Sequence, residues 1–410
     1  MESGKNTGDT GQSSAPLIIF GKMKSKITLI LILLLALCAV FSGCGNKNSD
    51  NNADNQNGEQ TQSPAPKPEF YGGSGTESDP YVIAEGYQWA NVSKYPDAHF
   101  VLNNDISLAA LDKVESIGSA SEPFGGTVDG KGYTVSRANV SAKESGGLFG
   151  VLSGASIKNL NLENCIVTYE YVEKHSQYYG VLAGQIKNAS LIENCHAENV
   201  KVVQSSSWGL YNNIGGLVGG VYSFSEILYS SVNMTFVGTE GGKGEYLFGG
   251  IAGTVENSRI AGCWADGTVT LTYGSGIAKA DSRKIGGLVY EATNAEIVCC
   301  YTALDFIDNR DKDSAAALIY KLDSENKVSH NVSFANFRVE PINGEYYSNK
   351  NPREDSASVN VYFSQSEGIS IDAMNSQIVD GSFNTGFFTE GTLHPVLVDY
   401  QTFKELMAVQ

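Results

Sequence analysis

The sequence predicts an all-β fold, a right-handed parallel β-helix with three short strands per coil and a C-terminal cap. The first observation behind this is a repeated motif. It reads Gly146-Gly147-Leu148-Phe149-Gly150, Gly180-Val181-Leu182-Ala183-Gly184 and Gly215-Gly216-Leu217-Val218-Gly219. It recurs as Gly249-Gly250-Ile251-Ala252-Gly253 and Gly286-Gly287-Leu288-Val289-Tyr290, then fades to Ala316-Ala317-Leu318-Ile319-Tyr320. Its central aliphatic residues are 34, 35, 34, 37 and 30 positions apart, the signature of a stacked array. Secondly, each period holds three short apolar segments with β-branched enrichment and no helical spacing. Thirdly, Asn and Gly cluster between those segments, where turns need left-handed backbone.

From the N-terminus, Lys22, Lys24 and Lys26 surround Met23 and precede an apolar run over 27–41. Such a run makes roughly 22 Å of helix, short of a ~30 Å hydrocarbon core, so residues 1–43 read as a signal peptide with Met23 the better start. The run ends in Phe41-Ser42-Gly43-Cys44, which looks like a bacterial lipobox that makes Cys44 a lipidated N-terminus. Residues 44–69 carry the anchor and a polar tether that cannot bury enough apolar surface to order itself. Cleavage before Cys44 removes four lysines and two acids, moving the net charge from −17 to −19. That sign excludes nucleic acid as a partner and leaves membrane attachment to the acyl chains at Cys44.

Residues 70–345 are the expected β-helix. After each Gly-Gly-Leu segment comes Ile157, Ile192, Ile227, Ile260, Ile297 or Val328, followed by runs such as Ile166-Val167-Thr168-Tyr169 and Val200-Lys201-Val202-Val203. In register, Leu148, Leu182, Leu217, Ile251, Leu288 and Leu318 become an internal ladder, coils ~4.8 Å apart. The Gly pairs suit a tight corner or the close approach of the next coil. A propeller would need about four strands per blade against the three counted here. The parallel-crossover preference sets the hand as right. Cys195, Cys263 and Cys300 share one phase, which reads as stacked inward thiols rather than a disulfide or zinc framework. Residues 346–410 are expected to form terminal coils whose aromatics cap the open core.

The Gly-Gly-Leu-x-Gly segments followed by Ile-x-x-Cys resemble the GLUG-motif repeats of bacterial surface proteins. The stretch Gly73-Ser74-Gly75-Thr76-Glu77-Ser78-Asp79-Pro80-Tyr81-Val82-Ile83 resembles that family's first coil, and His99-Phe100-Val101-Leu102 with Asp105-Ile106-Ser107-Leu108 its second. Phe124-Gly125-Gly126-Thr127-Val128-Asp129-Gly130-Lys131-Gly132 resembles its Phe-x-Gly-Thr-x-Asp-Gly-x-Gly turn. The resemblance covers residues 72–337 and implies a right-handed β-helix displayed outside the cell, in adhesins or beside IgA-specific metalloendopeptidase modules. Those proteases act through an HExxH metal site, and none of the five histidines here forms that motif.

Length variation falls at one phase, in segments 169–179, 204–213, 238–246, 273–284 and 307–314, so these loops project from one edge. Tyr169, Tyr171, Tyr178, Tyr179, Trp208, Tyr211, Tyr246 and Tyr273 supply flat apolar faces with polar tips, suited to a sugar or a protein partner or to packing on neighbouring loops. Asp308, Asp311 and Asp313 alternate with basic residues and read as a solvated turn, so no metal, cofactor or catalytic residue is assigned. The resulting expectation is a non-catalytic, lipid-anchored surface module that binds a glycan or an extracellular protein. A carbohydrate-active β-helix enzyme and a structural envelope spacer stand as alternatives.

Overall fold

The computed structural model describes residues 68–169, 176–204, 211–240, 245–273, 283–308, 315–316, 318–322, 325–329, 331–333, 336–339, 361–362, 388–389, 396–397 and 399–408. The leader, Cys44 and most of the tether lie outside them. The described chain is a parallel β-solenoid. Sheet 1 has nine strands and runs from Tyr81–Ile83 through Ser156–Lys158, Leu191–Glu193, Glu226–Leu228, Arg259–Ala261 and Glu296–Val298 to Lys327–Ser329. Its register is Ile157–Ile192–Ile227–Ile260–Ile297–Val328, the series read from the sequence. Sheet 2 stacks Asn161–Glu163, His196–Gln204, Ser231–Glu240, Trp264–Tyr273 and Tyr301–Asp308.

The Gly-Gly-Leu segments are not single strands. Each is a corner between a strand of sheet 3 (such as Tyr211–Gly215 and Glu245–Gly249) and one of sheet 4 (such as Val218–Tyr222 and Ala252–Glu256). A full coil therefore has four strands, one more than the sequence count, and parallel pairing between coils separates it from a propeller blade. Leu148, Leu182, Leu217, Ile251, Leu288 and Leu318 are all buried, each worth roughly 1.5–3 kcal/mol of apolar burial. The backbone ladder continues through the corner, for example from Leu217 N–H to the Ile251 carbonyl at 3.1 Å and from Ile251 N–H to the Leu288 carbonyl at 2.8 Å. Close approach, not positive φ, explains the glycines. A Cβ on Gly216 would sit 2.1 Å from the Gly250 carbonyl oxygen, and one on Gly250 equally close to that of Gly287.

The other corners turn through left-handed residues. After sheet 1 these are Asn159, Asn194, Tyr229, Gly262 and Cys299, with φ from 42° to 63°. The five residues that follow, Leu160, Cys195, Ser230, Cys263 and Cys300, point inward and are buried, as is Asn331 one coil beyond Cys300. A bent strand would leave its amide unpaired, a costly outcome in the interior. The side chain one coil on accepts it instead: Cys195 N–H donates to Ser230 Oγ at 3.1 Å, Cys263 N–H to Cys300 Sγ at 3.4 Å, and Cys300 N–H to Asn331 Oδ1 at 2.9 Å. The inward cysteines are thus weak acceptors in a polar rung that Ser and Asn also fill. Cys165, Cys195, Cys263, Cys299 and Cys300 are all free thiols, and burial pushes Cys195 up to about 12.

At the N-terminal end, Phe70 stacks on Tyr81 at 4.4 Å, and the buried Trp89 meets Phe149 edge-on at 5.9 Å. At the other end, Val361–Tyr362 continues sheet 2 beyond Val332–Ser333. The last helix, Tyr400–Ala408, does not cover the end of the core; it lies along the flank. Phe403 is buried over Gly262 and 5.2 Å from the Tyr229 ring, which Tyr400 also meets at 5.2 Å. The Tyr400 hydroxyl donates to Glu193 Oε1 at 2.6 Å, and Glu193 pairs with Lys158 at 3.2 Å. Burial alone would raise the Glu193 carboxyl, but Tyr400 and Lys158 outweigh it and hold it below the usual range. The physical reason for this placement is Gly262: without a Cβ, its left-handed corner is a socket for a ring.

Candidate binding surfaces

The length-variable segments each run from a strand of sheet 2 to a strand of sheet 3; residues 170–175, 205–210, 241–244, 274–282 and 309–314 of them lie outside the described residues. Tyr171 and Trp208 lie outside the described residues. Tyr211, Tyr246 and Tyr273 are described through their backbones, which pair with Glu245, Asn212 and Glu240 in sheets 3 and 2. Tyr169 and Tyr179 correct the expectation of exposed loop aromatics. They are 1% and 0% exposed and stack on each other at 4.3 Å with 20° between their planes. Tyr169 ends the strand Ile166–Tyr169, and Tyr179 shares its rung with Ile214, Phe248 and Ile285, all inward. The Tyr179 hydroxyl donates to the Lys143 carbonyl. The pair closes the coil where the segment between them departs and offers no face to a ligand. The signal was present in the sequence: Tyr179, Ile214, Phe248 and Ile285 each directly precede the glycine that opens the repeated motif.

Tyr178 alternates outward and is half-buried. Its ring meets Tyr222 edge-on at 5.9 Å, and both rings lie over Gly220, whose missing Cβ would fall 2.5 Å from Tyr222 and 2.9 Å from Tyr178. Burial, then the neighbouring Tyr178, raises the Tyr222 phenol far above its ordinary value. Thr254 Oγ1 donates to Asn213 Oδ1 at 2.9 Å beside them. The outward aromatic pair therefore sits beside Asn213 and Thr254, with Glu256 next to Tyr222 on its rung.

A second surface lies at the corner between sheets 4 and 1, and the sequence reading missed it. Here the left-handed pairs Asn188-Ala189 and Ser223-Phe224 give way to the single residues Asn257 and Asn294 in the next two coils. Phe224 has φ 64° and is 78% exposed, the most exposed large apolar side chain described. Beyond it the shortened corner recedes, leaving a groove of about 320 Å³. The groove's rungs are Glu226–Arg259–Glu296–Lys327 along sheet 1 and Phe224–Asn257–Asn294 along the corner. Arg259 Nε lies 3.4 Å from Glu296 Oε1, and Asn294 Nδ2 donates to Asn257 Oδ1 at 2.7 Å. Beneath the rungs, buried Ser190, Ser225 and Ser258 form a hydroxyl ladder, with Ser190 N–H donating to Ser225 Oγ and Ser225 N–H to Ser258 Oγ, both at 3.2 Å. The sequence cue was an aromatic where other corners carry Asn, Ala or Gly. No group of His, Cys, Asp and Glu among the described residues is arranged to hold a metal.

The chain matches no family model. It is 33% identical over 139 residues to a protein of Evansella cellulosilytica described as a Gly-rich membrane protein, a match covering 32% of this chain and 16% of that one. It is 31% identical over 175 residues to halomucin of Haloquadratum walsbyi, covering 39% and 2%. The chain thus spans a small fraction of the length of these relatives. Among solved structures, it is similar in fold to a Bacteroides ovatus protein described as an immunoglobulin A1 protease, with a TM-score of 0.51, 20% identity and coverage of 80% and 95%. An IgA1 protease gives a TM-score of 0.52 at 18% identity, covering 77% of this chain and 25% of that protein. At these identities the likeness is one of fold.

Proposed function

We propose that the protein is a lipid-anchored component of the cell envelope whose β-helix is a non-catalytic binding or adhesion module. It engages a glycan or an extracellular protein through the corner between sheets 2 and 3. The observation that carries this reading is that every length-variable, aromatic-bearing segment of the sequence connects a strand of sheet 2 to one of sheet 3. A rigid stack of coils holds such segments in one row, and aromatic rings with polar tips contribute most to contacts of this kind. Relatives described as a membrane protein and a halomucin support an envelope location. The lipobox-like Phe41-Ser42-Gly43-Cys44 supports anchorage, and the sequence contains no HExxH.

The test is an array of glycans and extracellular proteins probed with the full-length protein and with a Trp208→Ala/Tyr178→Ala/Tyr211→Ala variant. Binding by the parent that the variant loses, with an unchanged thermal midpoint, supports the loop edge; equal binding by both sinks it. Cys44→Ala is expected to move the protein from the membrane fraction to the soluble one.

A further inference from the structure

We propose that the groove between sheets 4 and 1 is a carbohydrate subsite that holds a short stretch of neutral, hydroxyl-rich glycan along the solenoid axis, with Phe224 as its stacking platform. Phe224 occupies a left-handed conformation that a bulky residue adopts only at a cost, at a corner position where the next two coils place Asn257 and Asn294, residues that tolerate it. Its ring meets solvent rather than core. Core packing therefore does not explain it, and strained, exposed side chains concentrate at functional sites.

The rest of the groove defines the occupant. Glu226, Glu296 and Glu325 face Arg259 and Lys327, so the lining carries a net charge of −1 with the signs interleaved. Such a surface has no field to hold a polyanion or a polycation. It offers carboxylate acceptors, guanidinium and ammonium donors and amides at each rung, the groups that bind neighbouring hydroxyls. From the Phe224 rung to the last rung is three coil steps, roughly 14 Å. One rung per coil matches the step of a linear sugar chain better than a compact metabolite. Three of the strands lining the groove, Glu226–Leu228, Arg259–Ala261 and Glu296–Val298, are interior members of sheet 1, paired on both sides, so along them no free backbone edge is open to an added peptide strand; Lys327–Ser329 is the last described strand of the sheet. The volume lies at the lower end for small-ligand sites, as suits a short stretch of a longer chain.

The test is titration calorimetry of the full-length protein with cellotetraose, maltotetraose, mannotetraose and chitotetraose, and with tetragalacturonate as the acidic comparison. At least one neutral tetrasaccharide is expected to bind. Phe224→Ala should weaken it tenfold or more, Phe224→Trp should retain it, and Arg259→Gln should weaken it severalfold. Phe224→Asn should lose binding while keeping or raising the thermal midpoint, which separates lost recognition from lost folding. The proposal is overturned if no neutral tetrasaccharide binds at millimolar concentration, if Phe224→Ala stays within twofold of the parent, or if tetragalacturonate binds more tightly. Binding lost in the Trp208/Tyr178/Tyr211 variant but kept in Phe224→Ala would place the glycan on the loop edge instead, so the two sites fail independently.

Discussion

Replacing Gly262 with Ala tests the socket that fixes the C-terminal helix on the flank. The substitution has two separable consequences. Gly262 has φ 63°, where a Cβ costs about 1–2 kcal/mol, and this lowers the stability of the coils whether or not the helix is docked. The new Cβ would also lie 2.3 Å from Phe403 Cζ, so the ring must leave. Phe403 is 4% exposed, and the apolar burial lost with it is about 1.5–3 kcal/mol, or roughly a 10- to 150-fold rise in the open population of the helix. Lys404 lies within that helix, so native-state trypsin cleavage after it reads the opening directly. Gly262→Ala should accelerate this cut by that factor. In a Phe403→Ala background the cut is already fast, and Gly262→Ala should add little to it while still lowering the urea midpoint. An unchanged cleavage rate in Gly262→Ala, or the same acceleration in both backgrounds, would refute the socket.

Further outcomes follow from the same interior. His196 Nε2 donates to Asn194 Oδ1 at 3.1 Å, which leaves Nδ1 of the neutral ring to accept from Ser231 Oγ at 2.8 Å beside Trp264, and burial pulls its pKa from 6.5 to about 4. The unfolded chain binds its proton first, so this contribution to stability is full above pH 6.5 and is lost as pH falls towards 4; His196→Gln should flatten urea midpoints measured across that window. Burial raises the thiols of Cys165, Cys195, Cys263 and Cys299, so these and the buried Cys300 should resist a disulfide reagent in buffer and react at once in denaturant. Gly216→Ala places a Cβ against the Gly250 carbonyl and, at 2.8 Å, against both Met234 Sδ and Val232 Cγ1; a loss of about 3 kcal/mol or more is expected in chemical denaturation.

What was legible in the sequence is what the repeat itself encodes. In a solenoid each residue meets its counterpart one coil away, so a fixed period specifies both the neighbour and the inward face. The rung Ile157–Ile192–Ile227–Ile260–Ile297 follows from counting alone. The thiol rung was visible for the same reason, although its hydrogen-bonding role was not. Where two strands meet within one short motif, counting strands fails: Gly215-Gly216-Leu217 counts as one segment and joins Tyr211–Gly215 to Val218–Tyr222, although the Gly pair itself reads as a tight corner. Tyr169 and Tyr179 were read from their composition as loop residues, yet their register turns them inward.

By itself, then, the sequence determined the parallel all-β stack, its approximate period and its core ladder, because those contacts recur every 30–37 residues along the chain. Only the tertiary structure decided which aromatics stay exposed, where the C-terminal helix docks and where a groove opens. Each of these depends on a departure from the repeat: one corner residue fewer beyond Phe224, and a missing Cβ at Gly262 some 140 residues before the ring that fills it. A difference between adjacent coils has no period to announce it, and its effect appears only when the coils are stacked.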